Sequence, residues 1–131
     1  MRLLLDTHVA LWAVADDPRL SPAARVLIAD PGNEVFVSAA SVWEIAIKHG
    51  LARGRADDMP ISGRDALLHF TAAGYALLPI SPAHAAAVEE LPRLHEDPFD
   101  RLLVAQARTE PLRLLTRDAK VLAYGDTALA V

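Results

Sequence analysis

A chain of 131 residues makes one domain, 1–131, able to bury about two-thirds of the surface its unfolded form exposes, and 53% hydrophobic residues exclude disorder. No apolar run reaches the roughly 18 residues of a membrane helix, Asp6 cuts the N-terminal run too early for a signal peptide, and the absence of cysteine excludes disulfides, thiolate nucleophiles and thiolate-bound zinc, so a cytoplasmic protein is expected. The net charge of −4 argues against plain electrostatic capture of nucleic acid, unless the acids sit on metal, where two divalent cations would cancel it.

Strand and helix signals alternate along the whole length, which predicts βαβ units and a mainly parallel sheet. Leu3-Leu4-Leu5 is wholly apolar, as a strand buried on both faces must be, and it ends at Asp6. A helix follows from Val9, with Asp6 or Thr7 as its N-cap. After the turn at Asp16-Asp17-Pro18, Ser21-Pro22 opens a second helix with Ser as cap and Pro in the first turn. Asp30-Pro31-Gly32-Asn33 breaks it, and Val35-Phe36-Val37 forms a second strand ending at Ser38. A third helix runs from Ala40 to His49 with Gly50 just past its end. Leu51 to Pro60 reads as a loop with Arg53 and Arg55 exposed. A fourth helix follows Ser62 and stops at Gly74, and Ala76 to Ile80 is a third strand, confined to an edge or shortened by Pro79. Ser81-Pro82 opens a fifth helix running to about Leu91, and Asp97-Pro98 opens a sixth. Leu112 to Leu115 is the fourth strand, Thr116-Arg117-Asp118 leads into a short helix, and Ala128 to Val131 is a last short strand.

Four acids stand where chemistry is expected, because ligands of open α/β sheets bind beyond the carboxyl ends of the strands. Asp6 and Asp118 each follow a buried strand and precede a helix; a cap explains either one alone. Asp100 lies in the first turn of the helix capped by Asp97, where it also complements the helix dipole. Glu44 completes a Ser41-x-x-Glu44 capping box and an i,i+4 pair with Lys48, or lies mid-helix if the helix starts at Ser38. With the first strand central, strands one and four are neighbours and bring Asp6 and Asp118 together. Glu44 follows strand two at the same edge, and Asp100 joins them if its helix carries its first turn across the site. Four converging carboxylates repel one another, and hard oxygen donors suit Mg²⁺ or Mn²⁺. Ser38, Ser41 and Thr116 are candidates to hold these ligands in place, although caps explain the serines equally well.

Other chemistries are disfavoured. The five histidines show no H-x-x-H or H-E-x-x-H spacing, so no histidine zinc site is expected. Phosphate-loop, dinucleotide and nucleophile-elbow motifs are absent. Trp43 reads as core. Arg53, Arg55, Arg64, Arg101, Arg108 and Arg117 are candidate phosphate contacts, although a solvated face accounts for most of them. A Mg²⁺-dependent phosphoacceptor domain would need paired acids after strand one and a lysine after the last strand. Here Thr7 follows Asp6, and an acid, Asp118, stands late in the chain.

The blocks Leu4-Leu5-Asp6-Thr7-His8, Ser41 to Lys48, Asp97-Pro98-Phe99-Asp100-Arg101-Leu102-Leu103 and Leu115-Thr116-Arg117-Asp118 resemble, in order and over nearly the whole chain, PIN-domain ribonucleases of the VapC toxin type. The resemblance implies a three-layer α/β/α fold with strand order 3-2-1-4-5. It implies a Mg²⁺- or Mn²⁺-dependent endoribonuclease that leaves a 5′-phosphate and a 3′-hydroxyl, a homodimer, and inhibition by a small antitoxin that occludes the active site. Carried over by position, Asp6, Glu44, Asp100 and Asp118 match the acidic site, with metal on Asp6, Asp100 and Asp118. Thr116 matches the polar residue near the last acid, and Asp97 and Arg101 match a local motif whose first role is structural. A DNA-directed or repair nuclease of the same fold is the alternative, separated by RNA against DNA cleavage.

Overall fold

Five parallel strands form one sheet in the computed structural model, which describes residues 1–131. The strands are β1 (Arg2–Leu5), β2 (Glu34–Ser38), β3 (Ala76–Leu78), β4 (Arg113–Thr116) and β5 (Ala128–Ala130), in the order β3-β2-β1-β4-β5. Between them run α1 (Thr7–Ala15), α2 (Pro22–Ala29), α3 (Ala39–Gly50), α4 (Gly63–Ala72), α5 (Pro82–Ala87), α6 (Pro98–Thr109) and α7 (Ala119–Leu122). No helix is long and apolar enough to cross a membrane.

The uninterrupted leucines of β1 are explained by its place. It lies mid-sheet between β2 and β4, with Leu5 in register with Val37 on one side and Leu115 on the other. Side chains of a strand alternate between faces, and the core divides accordingly. Leu3 and Leu5 pack with Val9, Val37, Ile45 and Phe70 on the face covered by α1 to α4. Leu4 and Leu114 pack with Leu103, Val104 and Val121 on the face covered by α5, α6 and α7. Each fully buried leucine contributes about 1.5–3 kcal/mol of transfer free energy.

Local signals placed most boundaries. Ser21, Ser81 and Asp97 each cap a helix whose first turn carries the following proline. Gly74, at φ 83°, lies just beyond the end of α4. Pro79 ends β3 at Leu78, two residues short of the expected strand. Three expectations change. Gly50 is the last residue of α3, not the residue beyond it, because the Leu51 N–H reaches the Lys48 and His49 carbonyls without a left-handed residue. The fifth helix ends at Ala87 and tightens into a 3₁₀ turn over Val88–Glu90. Trp43 is not core: it is 55% exposed and packs edge-on against Phe99, ring centroids 5.1 Å apart, because α3 turns its Ile45 side to the sheet.

Candidate active site

The carboxyl ends of β1 and β4 are tied together by the site residues themselves. Asp6 caps α1, its Oδ1 accepting from the Val9 N–H at 3.1 Å. Its Oδ2 accepts from Thr116 Oγ1 at 2.6 Å, and that hydroxyl in turn accepts from the Asp118 N–H at 3.0 Å. Asp118 caps α7 through the Lys120 N–H at 2.8 Å and leaves its second oxygen free for the cavity. The caps expected from sequence are therefore present, and they aim the acids without consuming them.

Asp100 reaches the same place from α6. Asp97 caps that helix by accepting from the Asp100 N–H at 3.0 Å, which sets Asp100 in the first turn. Its Oδ2 lies 2.7 Å from His95 Nε2, and the same nitrogen stands 3.8 Å from Asp118 Oδ2. His95, Asp100 and Asp118 can each offer one ligand atom, all within 4.8 Å of one another. His95 lies in the loop before α6, and no spacing rule could find it; its one sequence signal is that it sits five residues before Asp100.

Glu44 is settled in the mid-helix alternative. Ser38 caps α3 by accepting from the Ala40 N–H at 2.9 Å, so the Ser41 capping box does not form. Glu44 is buried, its Oε1 2.7 Å from Thr7 Oγ1 and its Oε2 2.6 Å from Lys48 Nζ, while Ser41 Oγ lies 2.9 Å from the same threonine hydroxyl. Ser38 itself stands apart from the acids, because its hydroxyl donates to Gln106 Oε1 at 2.5 Å. The supporting place expected for it is filled by Thr7 and Ser41. Arg101 also turns away, donating to the carbonyls of Val88 and Leu91 at 3.1 and 3.4 Å.

The acids, with Thr7, Lys48 and His95, line one cavity of about 410 Å³. Its acidic wall is Asp6, Glu44, Asp97, Asp100 and Asp118, and its cations are Lys48, Arg19 and Arg117. Burial raises the Asp6 carboxyl above its ordinary pKa, against the hydrogen bonds from Thr116 and Val9. Burial also pushes Asp100 up to about 6; the His95 contact opposes this, and the charges of Asp97, Asp6 and Glu44 add to it. A buried carboxylate pushed up further by three neighbouring acids marks a site short of positive charge. Two aspartates and an imidazole within 4.8 Å of one another, with Asp6 on the same cavity wall, suit a divalent cation that prefers oxygen and accepts nitrogen, so the donor set fits one. A larger apolar groove of about 900 Å³ between α3 and α4, beside Trp43, Leu67 and Leu68, has only Arg64 as an ionisable group and offers no such chemistry.

Residues 3–126 match the PIN domain family. Ribonuclease VapC22 of Mycobacterium tuberculosis is 35% identical over 121 residues, covering 91% of this chain and 88% of that protein. Among solved structures, VapBC2 from Rickettsia felis bound to a DNA fragment from their promoter aligns with a TM-score of 0.70 at 16% identity, covering 100% of this chain and 98% of that one. VapC20 of Mycobacterium tuberculosis, a sarcin–ricin loop cleaving toxin, aligns with a TM-score of 0.62 at 20% identity over 95% of each chain. The acid-lined cavity at the carboxyl edge of a 3-2-1-4-5 sheet therefore belongs to a member of the PIN-domain family, of the VapC ribonuclease type.

Proposed function

We propose that this protein is a Mg²⁺- or Mn²⁺-dependent endoribonuclease toxin that hydrolyses RNA phosphodiester bonds and is held inactive by a cognate antitoxin. The observation that carries the reading is the convergence of Asp6, Asp100 and Asp118, with His95, in one cavity where burial and mutual repulsion push Asp100 up to about 6. Such a cluster is costly in the ionised form, and a divalent cation relieves it. The family match and the VapC22 relative support the choice of RNA as substrate. The antitoxin rests on the VapBC complexes among the structural neighbours, and a homodimer belongs to the same reading.

Asp6, Asp100 and Asp118 are the residues to hold the ion, which when bound supplies charge neutralisation at the scissile phosphate and acidifies a water. The protein does the rest. Thr116 fixes the Asp6 carboxylate by a 2.6 Å hydrogen bond and holds the turn into Asp118. Thr7 and Lys48 hold Glu44 at the cavity wall, where its carboxylate can take a proton from the attacking water. His95 Nε2 stands between Asp100 and Asp118, 2.7 and 3.8 Å from a carboxylate oxygen of each.

The test is cleavage of RNA oligonucleotides by the purified protein in Mn²⁺ or Mg²⁺, with DNA of the same sequence alongside. RNA should be cut, EDTA should stop it, and folded Asp6→Asn and Asp100→Asn should each lose at least about 100-fold. Full activity in a folded Asp6→Asn protein refutes the assignment. Preferential cutting of DNA favours the alternative nuclease.

A further inference from the structure

A polyanion entering the cavity meets five carboxylates, on a chain whose net charge is −4. The molecule as a whole therefore does not attract it, and beyond the phosphate that a bound ion would neutralise, its hold must come from cations bordering the cavity. Lys48 is taken by Glu44 at 2.6 Å, and Arg19 is taken by Asp17 through two contacts of 3.0 and 2.7 Å. Arg117 is different. It is exposed and makes no ion pair; its side chain donates once, to the Arg19 carbonyl at 2.7 Å. It also sits between Thr116 and Asp118, on backbone fixed by the Asp118 N–H to Thr116 hydroxyl bond.

Trp12 joins the two arginines. The guanidinium carbons of Arg19 and Arg117 lie 5.3 and 5.4 Å from its ring centroid, and the His8 ring lies 5.9 Å away. Cation–π contact of this kind holds both long side chains beside the cavity before any ligand arrives, so less freedom is lost on binding. The guanidinium fork matches two oxygens of a phosphate, which an ammonium does not.

We propose that Arg117, held on Trp12 beside Arg19, clamps an RNA phosphate adjacent to the one cleaved at the acid cavity, with Trp12 as its positioning residue. This rests on the ribonuclease reading above. The clamp touches substrate away from the bond that breaks, so its loss should weaken binding more than turnover.

The experiment is steady-state cleavage of a single-stranded RNA oligonucleotide at several salt concentrations, for wild type, Arg117→Ala, Arg117→Lys and Trp12→Phe. Arg117→Ala should raise KM about tenfold with kcat within about threefold, and lower the slope of log KM against log salt by about 0.7, the share of one contact on a single strand. Arg117→Lys should restore the salt slope but only part of the affinity, and Trp12→Phe, whose smaller ring holds the guanidinium less firmly, should raise KM by less than Arg117→Ala does while leaving the salt slope unchanged. An unchanged KM and salt slope in Arg117→Ala overturns the clamp while leaving the ribonuclease intact. So does a loss confined to binding of an antitoxin, which would make this rim a protein contact. A wild-type protein that cuts no RNA overturns both.

Discussion

Asp100 is the residue at which the cost of the site can be measured. Burial and the neighbouring charges of Asp97, Asp6 and Glu44 outweigh its His95 contact and carry the carboxyl from 3.8 up to about 6. Between those two values the native state binds the proton more tightly than the unfolded chain. The group therefore contributes stability at low pH that is lost as pH rises through about 6. A shift of that size corresponds to about 3 kcal/mol at full burial, reduced to about 1 kcal/mol where solvent screens the charge. Metal-free Asp100→Asn should thus be more stable than metal-free wild type at pH 7.5 and nearly equal at pH 3.5, below the unfolded value, by urea unfolding in EDTA. Equal stabilities at both pH values count against the repulsion. Asp6 and Asp118 were legible because each follows an apolar strand. His95 was not, because a lone imidazole in a loop acquires meaning only from what the fold sets beside it. Trp43 misled because size and apolarity imply burial, while its exposure depends on which side of α3 meets the sheet.

At the scale of elements, the contact between α3 and α4 positions the helix that carries Glu44. Gly63 opens α4 where it crosses α3, and a Cβ there would stand 2.8 Å from the Ala46 Cβ and 3.2 Å from the Val42 carbonyl oxygen. The glycine is required by this close approach. Gly63→Ala should cost about 1–3 kcal/mol through overpacking, more than the helix propensity returned at a first-turn position. Thermal unfolding should show a lower midpoint, and an unchanged or higher one would mean the helices can move apart freely. Helix starts were legible at Ser21-Pro22, Ser81-Pro82 and Asp97-Pro98, where cap and proline act within a few residues. The start of α3 was not, because Ser38 and Ser41 are equally good caps. A long-range event decides between them: Ser41 is buried beside Thr7, 34 residues earlier in the chain.

For the whole molecule, alternation of apolar runs and helix signals suffices for a parallel sheet, since each strand must be covered on both faces. It does not give the pairings that make the cavity, such as Thr116 with Asp6 across 110 residues or Thr7 with Glu44 across 37. Those depend on β4 and α3 being laid beside β1, and their consequence is an excess of negative charge at one edge of the sheet. Five carboxylates face the cavity, against Lys48, Arg19 and Arg117. Since Lys48 offsets only Glu44 and Arg19 is held by Asp17 outside the cavity, most of this excess is unrelieved in the metal-free chain. A divalent ion binding there should stabilise the native state by about 2.7 kcal/mol at a concentration 100 times its Kd, a rise on the order of 10 °C in Tm. MnCl₂ or MgCl₂ should produce that rise where NaCl of equal ionic strength does not, EDTA should reverse it, and Asp100→Asn should blunt it. A melting temperature indifferent to saturating Mn²⁺ and Mg²⁺ would mean that the carboxylates are satisfied by protons and arginines alone, and the cavity would have no need of an ion.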